Sequence, residues 1–314
     1  EHYFEPYGGY TPNPLLFLTA CAARTRKARL IVGAVLPAFN HPLKIAGEAG
    51  MLDSLSGGRL ELGFARAFLP HEFERFGVGL DESVARFDEG VEQVTRLLED
   101  VNVTCVGRFH SFRKVTSLPR PVQKPIPYWT AALGTPASFE KAGRAGHSIM
   151  AIPMAGGRMR NLIRIYRESW RQAGHPGHGR VMMAFHMFCH EDRDAAIRVA
   201  KAPLERYLKS LVVAASGWTR GGSRDYPGYD KIIAKLAEET FETQLEANAA
   251  WIGTPDDIVA QIRAFDLDVN SFEVASMQVN FNTIGYDDAA RSMKLFAREV
   301  IPQINGLAAP AAAE

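Results

Sequence analysis

The sequence predicts an α/β fold built on parallel strands, and three observations carry that prediction. Apolar, β-branched runs alternate with amphipathic helical stretches along most of the chain. The apolar runs are nearly continuous rather than alternating, so both faces of their sheet must be covered. At 314 residues with 46% hydrophobic content, the chain can bury the core of one large α/β domain or two small ones, and barrels of this size often run as a single domain. Repeated β-then-α units of this length call for right-handed crossovers between parallel strands. The pattern alone leaves two arrangements open, a closed (β/α)8 barrel and a doubly wound open sheet. No G-x-G-x-x-G follows a strand, which weakens the dinucleotide-binding version of the second.

The elements follow in order. Residues 29–37 (RLIVGAVLP) read as a buried strand. Residues 42–55 carry helical spacing through Leu43, Ala46, Ala49 and Leu52. The Gly57-Gly58 turn returns the chain to strand over 59–67. A long amphipathic helix is predicted at 81–98, a strand at 127–132, a helix at 136–145 and a strand at 147–153. A helix at 158–173 ends at Gly174, a strand follows at 180–189, and a helix at 192–211. Order then weakens. Residues 216–229 (SGWTRGGSRDYPGY) read as a loop inside an insertion spanning about 212–251. Thr254-Pro255-Asp256-Asp257 is a capping signal for a helix to 265. The last strand is predicted at 274–282 and the last helix at 287–300. One domain over 1–304 is expected, with an Ala/Pro-rich disordered tail at 305–314.

Composition excludes several classes. The 36 basic and 35 acidic residues nearly cancel, so no nucleic-acid or membrane-surface partner is expected. Cys21, Cys105 and Cys189 are odd in number and far apart, which argues against a disulfide framework or a zinc site. That usage suits a reducing, cytoplasmic compartment. No two histidines have metal-ligand spacing, so no metal is expected.

Chemistry-bearing residues cluster at strand ends, where a barrel places its active site. Gly134-Thr135-Pro136-Ala137-Ser138 opens a helix after a strand. Thr135 fits the N-cap and Pro136 the first helical position, so this is either an ordinary cap or an anion site with two hydroxyls. Arg66 ends its strand and suits either a phosphate or a rim salt bridge with Glu72. His2 can serve as a base near neutral pH, or do nothing at all. His186 points into the barrel mouth or is a core histidine.

Together these pieces resemble the luciferase-like monooxygenase family. The segment Asp53-Ser54-Leu55-Ser56-Gly57-Gly58-Arg59-Leu60-Glu61-Leu62-Gly63 is similar to its "LD-LS-GR-LG" signature. So are Glu1-His2, Leu36-Pro37 with His41-Pro42, Arg66 with Glu72-Phe73 and Phe76-Gly77, and Arg86-Phe87-Asp88-Glu89. Pro119 to Pro125, Gly134 to Gly146, Ile252 to Pro255 and Ser292 to Phe296 extend the likeness to about Ile304. The resemblance implies a (β/α)8 barrel with an insertion before the last strand. The family's first strand and helix lack a counterpart, so a piece preceding Glu1 is expected. It also implies a two-component enzyme, in which a flavin reductase supplies reduced FMN and O2 serves to oxidise a small organic substrate. A homodimer is expected.

Residue by residue, the resemblance puts His2 on the family's catalytic histidine and Arg66, Thr135 and Ser138 on its phosphate ligands. Gly134 flanks those hydroxyls. Ala34 and Val35 fall on the flavin-face segment, which carries a non-prolyl cis peptide. His186, Trp218 and Tyr229 are expected to line the substrate pocket, the last two from a lid. Three departures weigh against light emission: Ala65 replaces a reactive cysteine, Val84 a second phosphate arginine, and Gly134 a glutamate. A deazaflavin-dependent oxidoreductase and a non-catalytic flavin-binding protein remain as alternatives.

Overall fold

The computed structural model describes residues 1–8, 10–154 and 157–304; the tail expected at 305–314 lies outside the described residues. The chain divides into two compact units, one of Glu1–Ala131 with Val213–Ile233, the other of Ala132–Val212 with the chain from Ala234 onward.

The first unit opens with α1 (Pro14–Arg24), then β1 (Leu30–Ile31), α2 (Pro42–Ser56) and β2 (Leu60–Phe64). Next come α3 (Pro70–Phe76), α4 (Ser83–Glu99), the strands β3 (Val103–Val106) and β4 (Ser111–Val115), and β5 (Tyr128–Ala131). β1 pairs with β2, and β2 with β5, both parallel. Every residue of β2 is buried, as its unbroken apolar run requires. The predicted strand 29–37 is shorter than expected. It pairs at Leu30 and Ile31, with Val32 N–H donating to the Glu61 carbonyl, and meets β2 again where Val35 bridges Phe64. β3 and β4 form an antiparallel hairpin. The Glu89 carboxylate accepts the N–H groups of Arg108, Phe109 and His110 at its turn.

The signature motif turns out to be framework. α2 ends on Gly57 (φ 69°), and Gly58 N–H donates to the Asp53 carbonyl, a left-handed C-terminal cap. Buried Asp53 accepts from Val122 N–H at 2.7 Å, Gln123 N–H at 3.0 Å and Gln123 Nε2 at 2.7 Å. Arg59 donates to Ala22, Thr25 and Ala28 at the end of α1. Glu61 joins Arg29 at 2.9 Å and Trp129 Nε1 at 2.7 Å. These buried charges are all partnered, as the interior demands.

The second unit contains α5 (Pro136–Arg144), β6 (Ser148–Ala151), α6 (Gly157–Gln172), β7 (Val181–Cys189) and most of α7 (Arg193–Ala215). The helix α8 (Tyr229–Leu236) begins in the first unit and ends in the second. Then follow α9 (Phe241–Glu246), β8 (Ala250–Gly253), α10 (Pro255–Val269), β9 (Val274–Gln278) and α11 (Tyr286–Leu295), with a π turn and a short α12 (Ile301–Ile304) behind it. β7 pairs parallel with β6, with β9 along Met182–His186, and with β8 along His186–Cys189. α10 starts on a capping box between Thr254 and Asp257, as its sequence signal predicts. The core here is aromatic: Phe185 stacks on Trp251 at 3.8 Å and meets Phe265 edge-on at 5.0 Å.

The insertion holds a 3-10 turn (Ser216–Arg220) inside the expected 216–229 loop, and then α8 and α9. Its glycines suggest slack, but its aromatics bury: Trp218, Tyr226 and Tyr229 are all under 8% exposed.

Candidate functional site

In the first unit, His2 lies in an irregular stretch rather than at a strand end. Its Nδ1 meets Glu72 Oε1 at 3.2 Å, and the same oxygen accepts the Tyr3 N–H at 2.7 Å. Tyr7 and Phe68 flank the imidazole at 5.3 and 5.5 Å. Gly8 (φ 70°) closes a third side, where a Cβ would come within 2.9 Å of His2 Cδ2. Glu72 sits in α3 and is fully buried; its Oε2 has no hydrogen-bond partner.

Ala34 and Val35 follow β1 and are buried. The Gly33–Ala34 peptide is cis. The Glu1 carboxylate accepts from Leu36 N–H at 2.8 Å and Asn40 Nδ2 at 2.7 Å, and Tyr3 Oη donates to it as well. This ties the 33–40 segment to the histidine corner.

Arg66, just past β2, does not pair with Glu72. Its Nη1 donates to the Asp225 carbonyl at 2.7 Å, and its guanidinium lies 4.2 Å over the Tyr226 ring. The insertion therefore docks on the end of β2. Trp218 Nε1 donates to Phe68 O at 2.8 Å, and Tyr226 Oη donates to Ala67 O. The Asp225 carboxylate accepts from Val84 N–H at 3.0 Å at the start of α4. Asp81 accepts from Ser223 Oγ and Arg224 N–H, which holds its carboxyl below the usual carboxylate range. Trp218 and Tyr229, the residues expected in a substrate pocket, pack on Tyr226 and each other at 4.8–5.2 Å. Burial pushes the Tyr226 and Tyr229 hydroxyls up.

In the second unit, Gly134 leads into α5, and Thr135 stands at its N-cap. The Thr135 hydroxyl does not cap the helix; it hydrogen-bonds the Ser138 hydroxyl at 2.7 Å. Arg158, in the first turn of α6, donates to the Gly134 carbonyl at 3.1 Å. A Cβ at Gly134 would lie 3.0 Å from Met154 Cε and 3.5 Å from Arg158 Nη2. One helix start thus gathers two hydroxyls and a guanidinium beside a crowded glycine. That donor set suits a phosphate monoester.

His186 is buried in the second half of β7. Tyr207 and Phe281 meet its ring edge-on at 4.4 and 5.1 Å, and its Nε2 has no partner. Burial pushes its titration down to about 4. Among the described residues, no cluster of three or more His, Cys, Asp or Glu could hold a metal ion. No helix among them is long and apolar enough to cross a membrane.

A family profile described as luciferase-like monooxygenase matches residues 1–267. The chain belongs to that family. Its fold is the parallel-strand α/β fold of the luciferase-like TIM barrels. The crystal structure of monooxygenase RslO1 from Streptomyces bottropensis is 39% identical with a TM-score of 0.86, over 96% of this chain and 86% of that one. The oxygenating constituent of 3,6-diketocamphane monooxygenase from Pseudomonas putida, solved with FMN, is 20% identical with a TM-score of 0.76, over 93% and 84%. The oxygenase component of a flavin-dependent trigonelline monooxygenase from Acinetobacter baylyi is 37% identical over 145 residues, 46% of this chain and 40% of that protein. The match spans under half the length of that relative. F420-dependent oxidoreductases are similar as well. The relatives support an oxidoreductase of the monooxygenase kind.

Three groups at these sites escape a sequence reading: Glu72 as the partner of His2, Arg158 beside Gly134, and Asp225 on Arg66. Glu72-Phe73 is visible as a motif, but nothing in it names a partner 70 residues away. Arg158 is one of several arginines on an amphipathic helix.

Proposed function

We propose that the chain is the oxygenase of a two-component system, using reduced FMN and O2 to oxidise a small organic substrate. The observation that carries this reading is the Thr135–Ser138 hydroxyl pair at the start of α5, with Arg158 beside it. Bound FMN would supply the activation of dioxygen. The chain's own residues hold, orient and protonate. Thr135, Ser138, the backbone at Gly134 and Arg158 bind the phosphate. Arg66 is the further phosphate cation that the family resemblance assigns. Ala34 and Val35 form the surface against the ring system. His2 holds or accepts a proton at Nε2. His186 supplies a neutral imidazole to a substrate. A separate flavin reductase, a homodimer and a cytoplasmic setting complete the proposal.

Titration with reduced FMN, reduced riboflavin and reduced deazaflavin tests it. Tight binding of FMN, weaker binding of riboflavin and none of deazaflavin is the expected result. The F420-dependent relatives favour a second reading, a deazaflavin oxidoreductase, and preference for that cofactor without oxygen uptake would establish it.

A further inference from the structure

We propose that Glu72 is a positioning residue that fixes His2 in its Nδ1–H tautomer and so leaves the lone pair on Nε2. The proposal rests on the catalytic role assigned to His2. Glu72 has no exposure, and among the described residues His2 is the one side chain that hydrogen-bonds it. Both contacts fall on a single oxygen. Oε1 accepts the Tyr3 N–H at 2.7 Å and faces His2 Nδ1 at 3.2 Å. An oxygen already accepting one hydrogen bond is satisfied by a second donor, so Nδ1 carries the proton. A buried carboxyl with a bare Oε2 has little else to compensate it.

The ring cannot turn away from this contact easily. Tyr7, Phe68 and the Gly8 backbone enclose it, and the side chain keeps 21% exposure. Nε2 makes no hydrogen bond within the described residues. It is therefore the ring atom free to act. When Nε2 takes a proton from a bound group, the imidazolium keeps its Nδ1–H on Glu72. The same proton returns from Nε2, and Glu72 gains or loses none. Free histidine prefers the opposite tautomer, with the proton on Nε2, so removing Glu72 should invert the ring chemically without moving it far.

The tautomer is readable without substrate or cofactor. Histidine-selective 15N labelling, with His2 assigned by its absence in His2→Gln, gives separate Nδ1 and Nε2 signals above the imidazole titration. The wild-type protein should show a protonated Nδ1 and an unprotonated Nε2. Glu72→Leu, which fills the buried volume, and Glu72→Ala should both shift the proton to Nε2. Glu72→Gln, which keeps an oxygen at the Oε1 position, should restore the Nδ1–H signal. Turnover in Glu72→Leu should fall by about 100-fold, the scale of a lost proton transfer. A wild-type His2 with its proton on Nε2, or an Nδ1–H signal that survives in Glu72→Leu, overturns the proposal. If the tautomer inverts but His2→Ala leaves turnover intact, the positioning stands and the catalytic role of His2 falls.

Discussion

The two units hold their functional groups in opposite ways. In the first, the candidate side chains are already engaged by neighbours: His2 by Glu72, Arg66 by Asp225 and Tyr226. In the second, they engage one another or keep a polar atom bare. Thr135 and Ser138 bond each other at a helix start, and His186 keeps a bare Nε2. The contrast separates two uses of a polar group. One that is clamped acts in a fixed direction, while one left open either meets a ligand or bears an uncompensated burial.

The largest test of this contrast is His2→Ala. Turnover should fall by about 100- to 10,000-fold while the Kd for reduced FMN stays within about twofold. A matching loss in both would make the corner structural. Second comes acid stability. His186 titrates near 4 when folded and near 6.5 when unfolded, so the unfolded chain binds its proton first as pH falls. Stability is then lost progressively from pH 6.5 to about 4 and levels off below. The drop from 6.5 to about 4 corresponds to on the order of 3 kcal/mol. His147 is lowered to about 4 as well, chiefly by burial, so part of the slope remains without His186. Urea unfolding across this range should show a flatter curve for His186→Phe. An unchanged slope would mean that His186 is not held neutral.

Third, Thr135→Ala with Ser138→Ala should weaken FMN about 10- to 30-fold, since each hydrogen bond to a charged group contributes about 1.5 kcal/mol and the two are partly redundant. Riboflavin binding should not change. Equal loss for both ligands would place the hydroxyls away from the phosphate. The smallest effect is expected from Asp225→Ala, which removes the cap on α4 and should cost about 1 kcal/mol. With the insertion loosened, trypsin should cleave after the already exposed Arg224 more readily. Unchanged cleavage would show that the aromatic packing alone holds it.

Much of the fold was legible because its signals are local. The Thr254-Pro255-Asp256-Asp257 box, the Gly57-Gly58 cap and the apolar run of β2 each act within a few residues. The candidate residues were legible as residue types, but not their partners. Arg66 and Thr135 stand at the ends of elements, as expected, whereas His2 lies in an irregular stretch. Which group each one faces depends on contacts across 69 to 159 residues of chain, as with Tyr3 and Glu72 or Arg66 and Asp225. In the insertion, glycine content speaks for backbone freedom, whereas Trp218, Tyr226 and Tyr229 decide burial.

Arg66 shows what its engagement leaves available. Its present companions are a carbonyl oxygen and an aromatic face, and no carboxylate among the described residues forms an ion pair with it. Both companions are dipolar or quadrupolar, so the guanidinium is immobilised without being neutralised. An anion arriving there would meet a full positive charge already stripped of some water and rotamer freedom. It would compete against neutral groups, whose hold falls off faster with distance than its own. The arginine is thus held in place with its charge uncompensated by any carboxylate among the described residues.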